Sequence, residues 1–274
     1  ETTDHYSNES VSDKLFIDQS VTTTFEDHLV KISGTGTNDI EIHADFVNNM
    51  VNKAGASYAA PIYVVTGATV AYVGGNFINN NTIGDKAYGG AIYLNQGTIE
   101  ILEGNFINNI AIASDGAVHG PAVDNHGQID SIKANFIGNH GEATANALGG
   151  AINSSSASIN AYIGKIYDSN FIGNTIESTG GYARGGAIHN NTLMGSITNS
   201  NFINNKVIGN DASNGGAIYS AYDLQVMADN GTSLFEGNTV NGESNAIYMA
   251  GASSSNLIDL NLTGTNNGVL TIND

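Results

Sequence analysis

The sequence predicts an all-β protein, a parallel β-helix of about eight coils with roughly 30 residues per coil, and the bias of parallel crossovers favours a right-handed one. Two repeated motifs carry this prediction. The motif Phe-x-x-Asn occurs seven times, and its phenylalanines are 29 to 35 residues apart by subtraction. The motif Gly-Gly-Ala-Ile, or a degraded form of it, follows each copy. A constant period of this size is typical of folds in which each repeat is one structural unit.

Short apolar segments between the motifs predict strands and not helices. Residues 91–94 and 98–102 are two such segments, and Asn-Gln-Gly separates them. A helix would need apolar residues at every third and fourth position over a longer stretch, with few glycines. We expect three strands in each repeat, Gly-Ala-Ile-Tyr, Thr-Ile-Glu-Ile and Asn-Phe-Ile-Asn, which together complete one coil.

Two apolar columns are predicted to point inward, because stacked coils place equal positions above one another at roughly 4.8 Å. The phenylalanine column consists of Phe46, Phe77, Phe106, Phe136, Phe171, Phe202 and Phe235. The aliphatic column consists of Ile62, Ile92, Val123, Ile152, Ile188, Ile218 and Ile247. The glycines before the aliphatic column suit a tight corner, since glycine adopts a positive φ without strain.

The asparagine that ends each Phe-x-x-Asn motif is predicted to form a ladder at a bend. Backbone groups lose their partners within the coil at a bend, and side-chain amides can bond to one another and to the turn N–H groups. The predicted ladder consists of Asn49, Asn80, Asn109, Asn139, Asn174, Asn205 and Asn238.

The repeats predict one elongated domain. Residues 1–14 are polar and acidic and are expected to form an N-terminal tail or loose cap. Residues 15–274 are expected to form a single β-helix domain that begins near Leu15, because Phe16 starts a worn copy of the motif. Residues 257–262 and 268–272 alternate as strands do. We therefore expect the β-helix to continue beyond residue 274 in the parent protein.

The charge balance limits the class of partner. The chain has 26 acidic and 8 basic residues and a formal net charge of −18, which excludes ordinary affinity for nucleic acid or anionic membranes. No apolar stretch is long enough to span a bilayer, so we expect no direct membrane insertion of this fragment. The first residues lack the pattern of a signal peptide, and cysteine is absent. A mature, exported fragment fits these features.

About ten residues of changing sequence connect each Phe-x-x-Asn to the next Gly-Gly and predict a variable edge. These connections are residues 81–88, 110–119, 140–148, 175–184 and 206–214. An acidic stripe runs through them and the connection that follows, formed by Asp85, Asp115, Glu142, Glu177, Asp211 and Glu243. Loop carboxylates and carbonyls are calcium ligands, so calcium is one interpretation. A solvated edge that prevents lateral association is the other.

The residue after each core isoleucine is expected outside the helix, since side chains alternate along a strand. This column predicts an exposed aromatic ladder of Tyr63, Tyr93, Tyr219 and Tyr248, interrupted by Asp124, Asn153 and His189. Exposed tyrosines supply rigid contact area with a hydroxyl at the tip, which suits protein or sugar partners. Packing between stacked strands is the alternative interpretation.

One coil combines His119, Asp124, His126 and His140, which are candidate transition-metal ligands. Imidazole and carboxylate bind such metals together. This coil also departs from the repeat, with Gly120-Pro121 in place of Gly-Gly. The alternative is that all four are exposed turn residues, because their spacing matches no recognised ligand motif.

No catalytic residue is predicted. Pectate lyases and polygalacturonases use β-helices, but they need carboxylates beside bases, or carboxylates paired on adjacent coils. Arg184 is the single arginine, and the positions before the phenylalanines are mostly amides. A polysaccharide lyase or glycoside hydrolase is kept as an alternative, and a structural stalk or filament subunit as another.

The pairing of Phe-x-x-Asn with Gly-Gly-Ala-Ile resembles the repeat of the polymorphic outer-membrane protein family, surface autotransporters best known from chlamydiae. Passengers of that family are right-handed β-helices, and parallel crossovers favour the same hand. The resemblance implies an extracellular location at a bacterial cell surface or outer membrane. It also implies an adhesin or structural passenger fragment that binds a protein or glycan on a host or neighbouring cell, or self-associates. The chain departs from the family in its lack of cysteine and of a translocator barrel.

Overall fold

A computed structural model of the chain describes residues 4–7, 24–25, 30–33, 40–59, 61–155, 161–250 and 259–274. Over these residues the protein is all-β, and parallel coils about 31 residues apart stack into a β-solenoid of about seven turns. The predicted parallel β-helix is therefore confirmed. The same residues contain no helix that is long and apolar enough to cross a membrane. Four sheets, named A to D below, run along the solenoid.

Sheet A contains the Gly-Gly-Ala-Ile strands and has nine strands in chain order. They are Asp4–Ser7, Val30–Ser33, Ile62–Val64, Ile92–Leu94, Val123–Asn125, Ile152–Ser155, Ile188–Asn191, Ile218–Ser220 and Ile247–Met249. Asp4–Ser7, inside the predicted tail, pairs in parallel with Val30–Ser33. The predicted start at Leu15 and the worn copy at Phe16 lie outside the described residues.

Sheet B contains both of the other predicted strands of each repeat and has fourteen strands. They are Glu41–His43, Phe46–Val47, Thr69–Gly74, Asn76–Ile78, Thr98–Ile107, Gln128–Ile137, Tyr162–Tyr167, Asn170–Ile172, Leu193–Thr198, Asn201–Ile203, Leu224–Asp229, Thr232–Glu236, Leu260–Thr265 and Val269–Asn273. In two coils the predicted pair runs on without a break, as Thr98–Ile107 and Gln128–Ile137.

The connections predicted as a variable edge contain two further sheets, which the three-strand prediction missed. Sheet C is formed by Thr24–Phe25, Met50–Asn52, Asn81–Gly84, Ile110–Ala113, His140–Ala143, Thr175–Ser178, Lys206–Ile208, Thr239–Val240 and Glu243–Ser244. Sheet D is formed by Ala56–Tyr58, Lys86–Tyr88, Val118–His119, Ala147–Leu148 and Ala183–Arg184. Neighbouring strands are parallel, except that Thr239–Val240 pairs antiparallel with Glu243–Ser244.

Two apolar cores lie side by side, and this explains why the connections are ordered strands. The main core contains the phenylalanine and aliphatic columns of sheets A and B. A second core lies between sheets C and D and consists of Ala87, Ala111, Ala113, Val118, Ala143, Ala147, Ile176, Ala183 and Val207. Its members are mostly alanines, so the two sheets approach closely, and burial of this surface stabilises strands of only two to four residues.

The seven phenylalanines form a continuous stack in the main core, as predicted. All seven side chains are fully buried. Neighbouring ring centroids are 4.6 to 5.1 Å apart, with interplanar angles of 18° or less. Each interior ring therefore packs on a copy of itself above and below.

The predicted asparagine ladder is present and fully buried. The Nδ2 group of each asparagine donates to the Oδ1 atom of the next, over 2.8 to 3.0 Å. From the second asparagine onward, each Nδ2 also donates to the carbonyl of the phenylalanine one coil earlier. At the last rung, Asn238 Nδ2 donates to the Asp274 carboxylate. At the first rung, Asn49 Oδ1 is buried and has no partner among the residues that the structure describes.

The Gly-Gly motif forms the corner between sheets D and A. The first glycine adopts a positive φ, for example 69° at Gly149, as the sequence predicts. The second lies against the next coil, because a Cβ atom at Gly150 would overlap the carbonyl oxygen of Gly186. This corner brings the ends of the sheet D strands beside sheet A.

Candidate functional site

Two columns of side chains meet where sheets D and A adjoin, and we call this strip the A–D seam. Sheet D contributes Tyr58, Tyr88, His119, Leu148 and Arg184, each of which ends its strand. Sheet A contributes the predicted aromatic column, Tyr63, Tyr93, Asp124, Asn153, His189, Tyr219 and Tyr248. The seam is therefore built from one short strand of each sheet in every coil.

The prediction that the sheet A column is exposed is wrong for most of its members. Tyr93 is 8% exposed and Tyr219 is 7% exposed, while Asp124, Asn153 and His189 are also buried. Tyr63 is half-buried, and Tyr248 is exposed. Alternation does turn these residues away from the main core, but sheet D covers them. Whether these tyrosines bind a partner stays a prediction.

The first part of the seam is aromatic. The Tyr58 ring centroid lies 5.4 Å from that of Tyr88 and 4.9 Å from that of Tyr93. Tyr63 and Tyr93 are 5.2 Å apart. A cavity of about 230 Å³ opens beside these rings and is lined by Tyr58, Tyr88, Tyr93, Asn95, Gln96, His119 and His126. The lining thus combines aromatic faces with amide and imidazole groups.

At the far side of this cavity, His119, Asp124 and His126 come together. The Asp124 Oδ2 atom is 3.2 Å from His126 Nε2 and 3.8 Å from His119 Nδ1. One ligand atom from each of the three residues lies within 4.8 Å of the others. His119 comes from sheet D, Asp124 from sheet A, and His126 from the turn that follows. The Gly120-Pro121 corner connects the first two.

A hydrogen-bond chain fixes the Asp124 carboxylate. Asn153 Nδ2, one coil further along, donates to Asp124 Oδ1 over 2.7 Å. The Asn153 Oδ1 atom is in turn 2.8 Å from His189 Nδ1, and the His189 ring stacks on Tyr219 at 5.1 Å. The orientation of Asp124 is therefore supported over three coils.

Burial and charge oppose each other in this cluster. Burial alone would raise the pKa of the Asp124 carboxyl, but the two imidazoles and the Asn153 amide lower it. The Asp124 charge raises the pKa of His126. Burial lowers the pKa of His119, although the Asp124 charge acts to raise it. Asp124 is thus held ionised, and His119 is held neutral, the form in which imidazole binds a cation.

The other candidate ligands lie elsewhere. His140 begins a strand of sheet C and does not join the cluster. In the acidic stripe, Glu177 is half-buried and the other five acids are exposed. Within the described ranges no three acids gather their carboxylates at one point.

In the later coils, the seam contains the positively charged side chain of Arg184. The Arg184 guanidinium lies over the Tyr182 ring at 3.9 Å and over the Tyr219 ring at 4.7 Å. Such contacts are favourable when the cation is partly shielded from water. Arg184, the single arginine, therefore packs in the seam, whereas the sequence placed it in the variable edge at residues 175–184.

Sequence reasoning missed the contribution of Tyr58 and Tyr88. The signal was present, because a small apolar residue and then a larger one precede the Gly-Gly motif, as in Ala87-Tyr88, Val118-His119 and Ala147-Leu148.

Comparisons with protein-family models, with curated proteins and with solved structures find no match to this chain.

Proposed function

We propose that the chain is an adhesive module of a bacterial cell surface, a passenger fragment of an autotransporter, and that it binds a glycan in the tyrosine-lined cavity. The single observation that carries the proposal is the cavity itself. Three tyrosine rings, two amide side chains and two imidazoles line it. The motif resemblance supports the surface location and the adhesive role.

The lining matches the chemistry of a sugar ring. Sugar rings present apolar C–H faces with hydroxyls at their edges, and tyrosine offers an apolar face with a polar tip. Asn95 and Gln96 supply amide donors and acceptors for the hydroxyls. The volume, about 230 Å³, is below the roughly 300–1,000 Å³ of clefts that enclose drug-sized ligands. It suits one residue of a chain whose remainder lies along the surface.

The charge of the chain selects among glycans. With a net charge of −18, the protein repels polyanions such as uronic-acid polymers at low ionic strength. Neutral or amino sugars are therefore the preferred class.

A glycosidase function has less support. Hydrolysis of a glycosidic bond requires two carboxyl groups facing each other across it. Asp124 is the one buried acid among the described residues, and the cavity lining contains no carboxylate.

A glycan array probed with the purified chain in chelator tests the proposal. We expect binding to neutral or amino glycans that falls at least tenfold in Tyr88→Ala, which removes one wall of the cavity. Tyr222→Ala is the matched control, because Tyr222 is 42% exposed outside the seam and its loss should leave binding unchanged. Absence of any glycan binding, or equal binding by Tyr88→Ala, would refute the proposal. A parallel protein array identifies a protein partner in that case.

A further inference from the structure

We infer that His119, Asp124 and His126 form a binding site for a transition-metal cation, with Zn²⁺ as the expected ion. This goes beyond the proposed glycan binding and does not depend on it. Two imidazoles and one carboxylate are a common ligand set for zinc. The three residues converge from two sheets and a turn, so the solenoid fold, and not a local sequence motif, assembles the set.

The distances suit a tetrahedral ion. Zinc–ligand bonds of about 2.0–2.1 Å place two ligands of a tetrahedron about 3.3 Å apart. Asp124 Oδ2 is 3.2 Å from His126 Nε2 and 3.8 Å from His119 Nδ1, and the whole group fits within 4.8 Å. Small side-chain rotations would therefore bring all three donors to bonding distance.

An ion pair between Asp124 and His126 does not account for His119. The His119 Nδ1 atom is buried and has no hydrogen-bond partner in the described part of the chain, because its distance of 3.8 Å to Asp124 Oδ2 is too long for a hydrogen bond. A buried polar atom without a partner costs about 1–3 kcal/mol. A cation between the three residues would give this atom a ligand bond.

The surroundings orient the donors as in metal sites. Asn153 donates to Asp124 Oδ1, which leaves Oδ2 directed at the two histidines. His189 in turn contacts Asn153. Outer partners of this kind fix ligand geometry, and their loss typically lowers metal affinity by about 10–100-fold.

The cavity provides a path and an open position. His119 and His126 both line it, and their side chains are 18% and 17% exposed, while Asp124 is fully buried. Three protein ligands leave the fourth position of a tetrahedral ion free. That position would face the cavity and hold water or a hydroxyl of a bound molecule.

Titration calorimetry of the metal-free chain with Zn²⁺ tests the inference. We expect one ion per chain, and a loss of affinity of at least about 100-fold in His119→Gln and in Asp124→Asn. Asn153→Ala should lower affinity by about 10–100-fold with all three ligands retained. Substitution by Co²⁺ gives a second readout on the wild-type chain, since tetrahedral Co²⁺ absorbs visible light strongly and octahedral Co²⁺ does so weakly.

Two controls separate this site from surface binding. His140→Gln removes an imidazole outside the cluster and should leave the affinity unchanged. His43→Gln removes the exposed pair in which His43 Nε2 is 3.1 Å from Glu41 and should also have no effect. Absence of stoichiometric Zn²⁺ binding by the wild-type chain, or full affinity in His119→Gln, would overturn the inference. Because the glycan array is run in chelator, its failure and the failure of this experiment are independent.

Discussion

The interior ladders and the A–D seam differ in how they use the same stacked geometry. Along the ladders, every coil repeats one residue, so Phe136 packs on Phe106 and Phe171. Along the seam, the facing pair changes from Tyr88 and Tyr93 in one coil to His119 and Asp124 in the next. The ladders supply the same packing and hydrogen bonds in every coil, whereas the seam places different side chains in successive coils.

The physical reason lies in what surrounds each column. A ladder side chain has copies of itself as neighbours, and any other residue would break two stacking contacts or several hydrogen bonds. A seam side chain of sheet A faces a side chain of sheet D across the corner. These two facing residues can therefore change together from one coil to the next. Substitutions within the ladders should therefore cost more stability than substitutions within the seam.

Removal of a ring from the phenylalanine stack should have the largest effect. Phe136→Ala leaves a cavity in a fully buried column and should lower the free energy of unfolding by about 3–5 kcal/mol. Tyr88→Ala removes a half-buried ring of similar size from the seam and should cost about 1 kcal/mol. Urea denaturation of both variants measures the difference, with Phe136→Leu as an intermediate control. Equal costs at the two positions would contradict the division of roles.

The asparagine ladder gives a matched pair within one coil. The Asn139 side chain donates to Asn174 and to the Phe106 carbonyl, and accepts from the N–H and Nδ2 groups of Asn109. Asn139→Ala leaves these buried groups without partners and should cost about 2–4 kcal/mol.

Asn135 is the control, because it occupies a second amide ladder that is only partly buried, between Asn105 and Asn170. Water can replace its bonds, so Asn135→Ala should cost about 1 kcal/mol or less. A smaller loss for Asn139→Ala than for Asn135→Ala would show that burial does not set the value of these amides.

The seam should also make stability depend on pH. Burial lowers the pKa of His189 to about 3, with smaller effects from His119, Arg184 and Asp124. Below about pH 6.5 the unfolded chain binds a proton at this position and the folded chain does not. Stability therefore falls as the pH falls, by up to about 1.4 kcal/mol per pH unit from this group.

His189→Asn, the residue type of the neighbouring coil at Asn153, should reduce that slope between pH 6.5 and pH 4.5. Urea denaturation in chelator at several pH values measures it. His140→Asn, which removes an imidazole from sheet C outside the seam, is the matched control. An unchanged slope in His189→Asn would mean that His189 does not carry the dependence.

The sequence was sufficient for the ladders and insufficient for the seam. A residue such as Phe136 or Asn139 is predictable because its neighbours are the equivalent residues one period away. Asp124 was placed correctly on the outer face of its strand, but alternation does not say what covers that face. The covering strand, Val118–His119, is two residues long, too short for any periodicity to show. His126 lies in a turn, so its approach to Asp124 depends on the path of the chain.

The hydrogen bonds of the asparagine ladder all point the same way along the solenoid. From Asn80 to Asn205, each side-chain Oδ1 atom accepts from the asparagine one coil earlier, and each Nδ2 group donates to the asparagine one coil later, so this row of hydrogen bonds has a direction along the solenoid axis. A further coil can join this row only in the same orientation, because its amide must accept from the coil before it and donate to the coil after it.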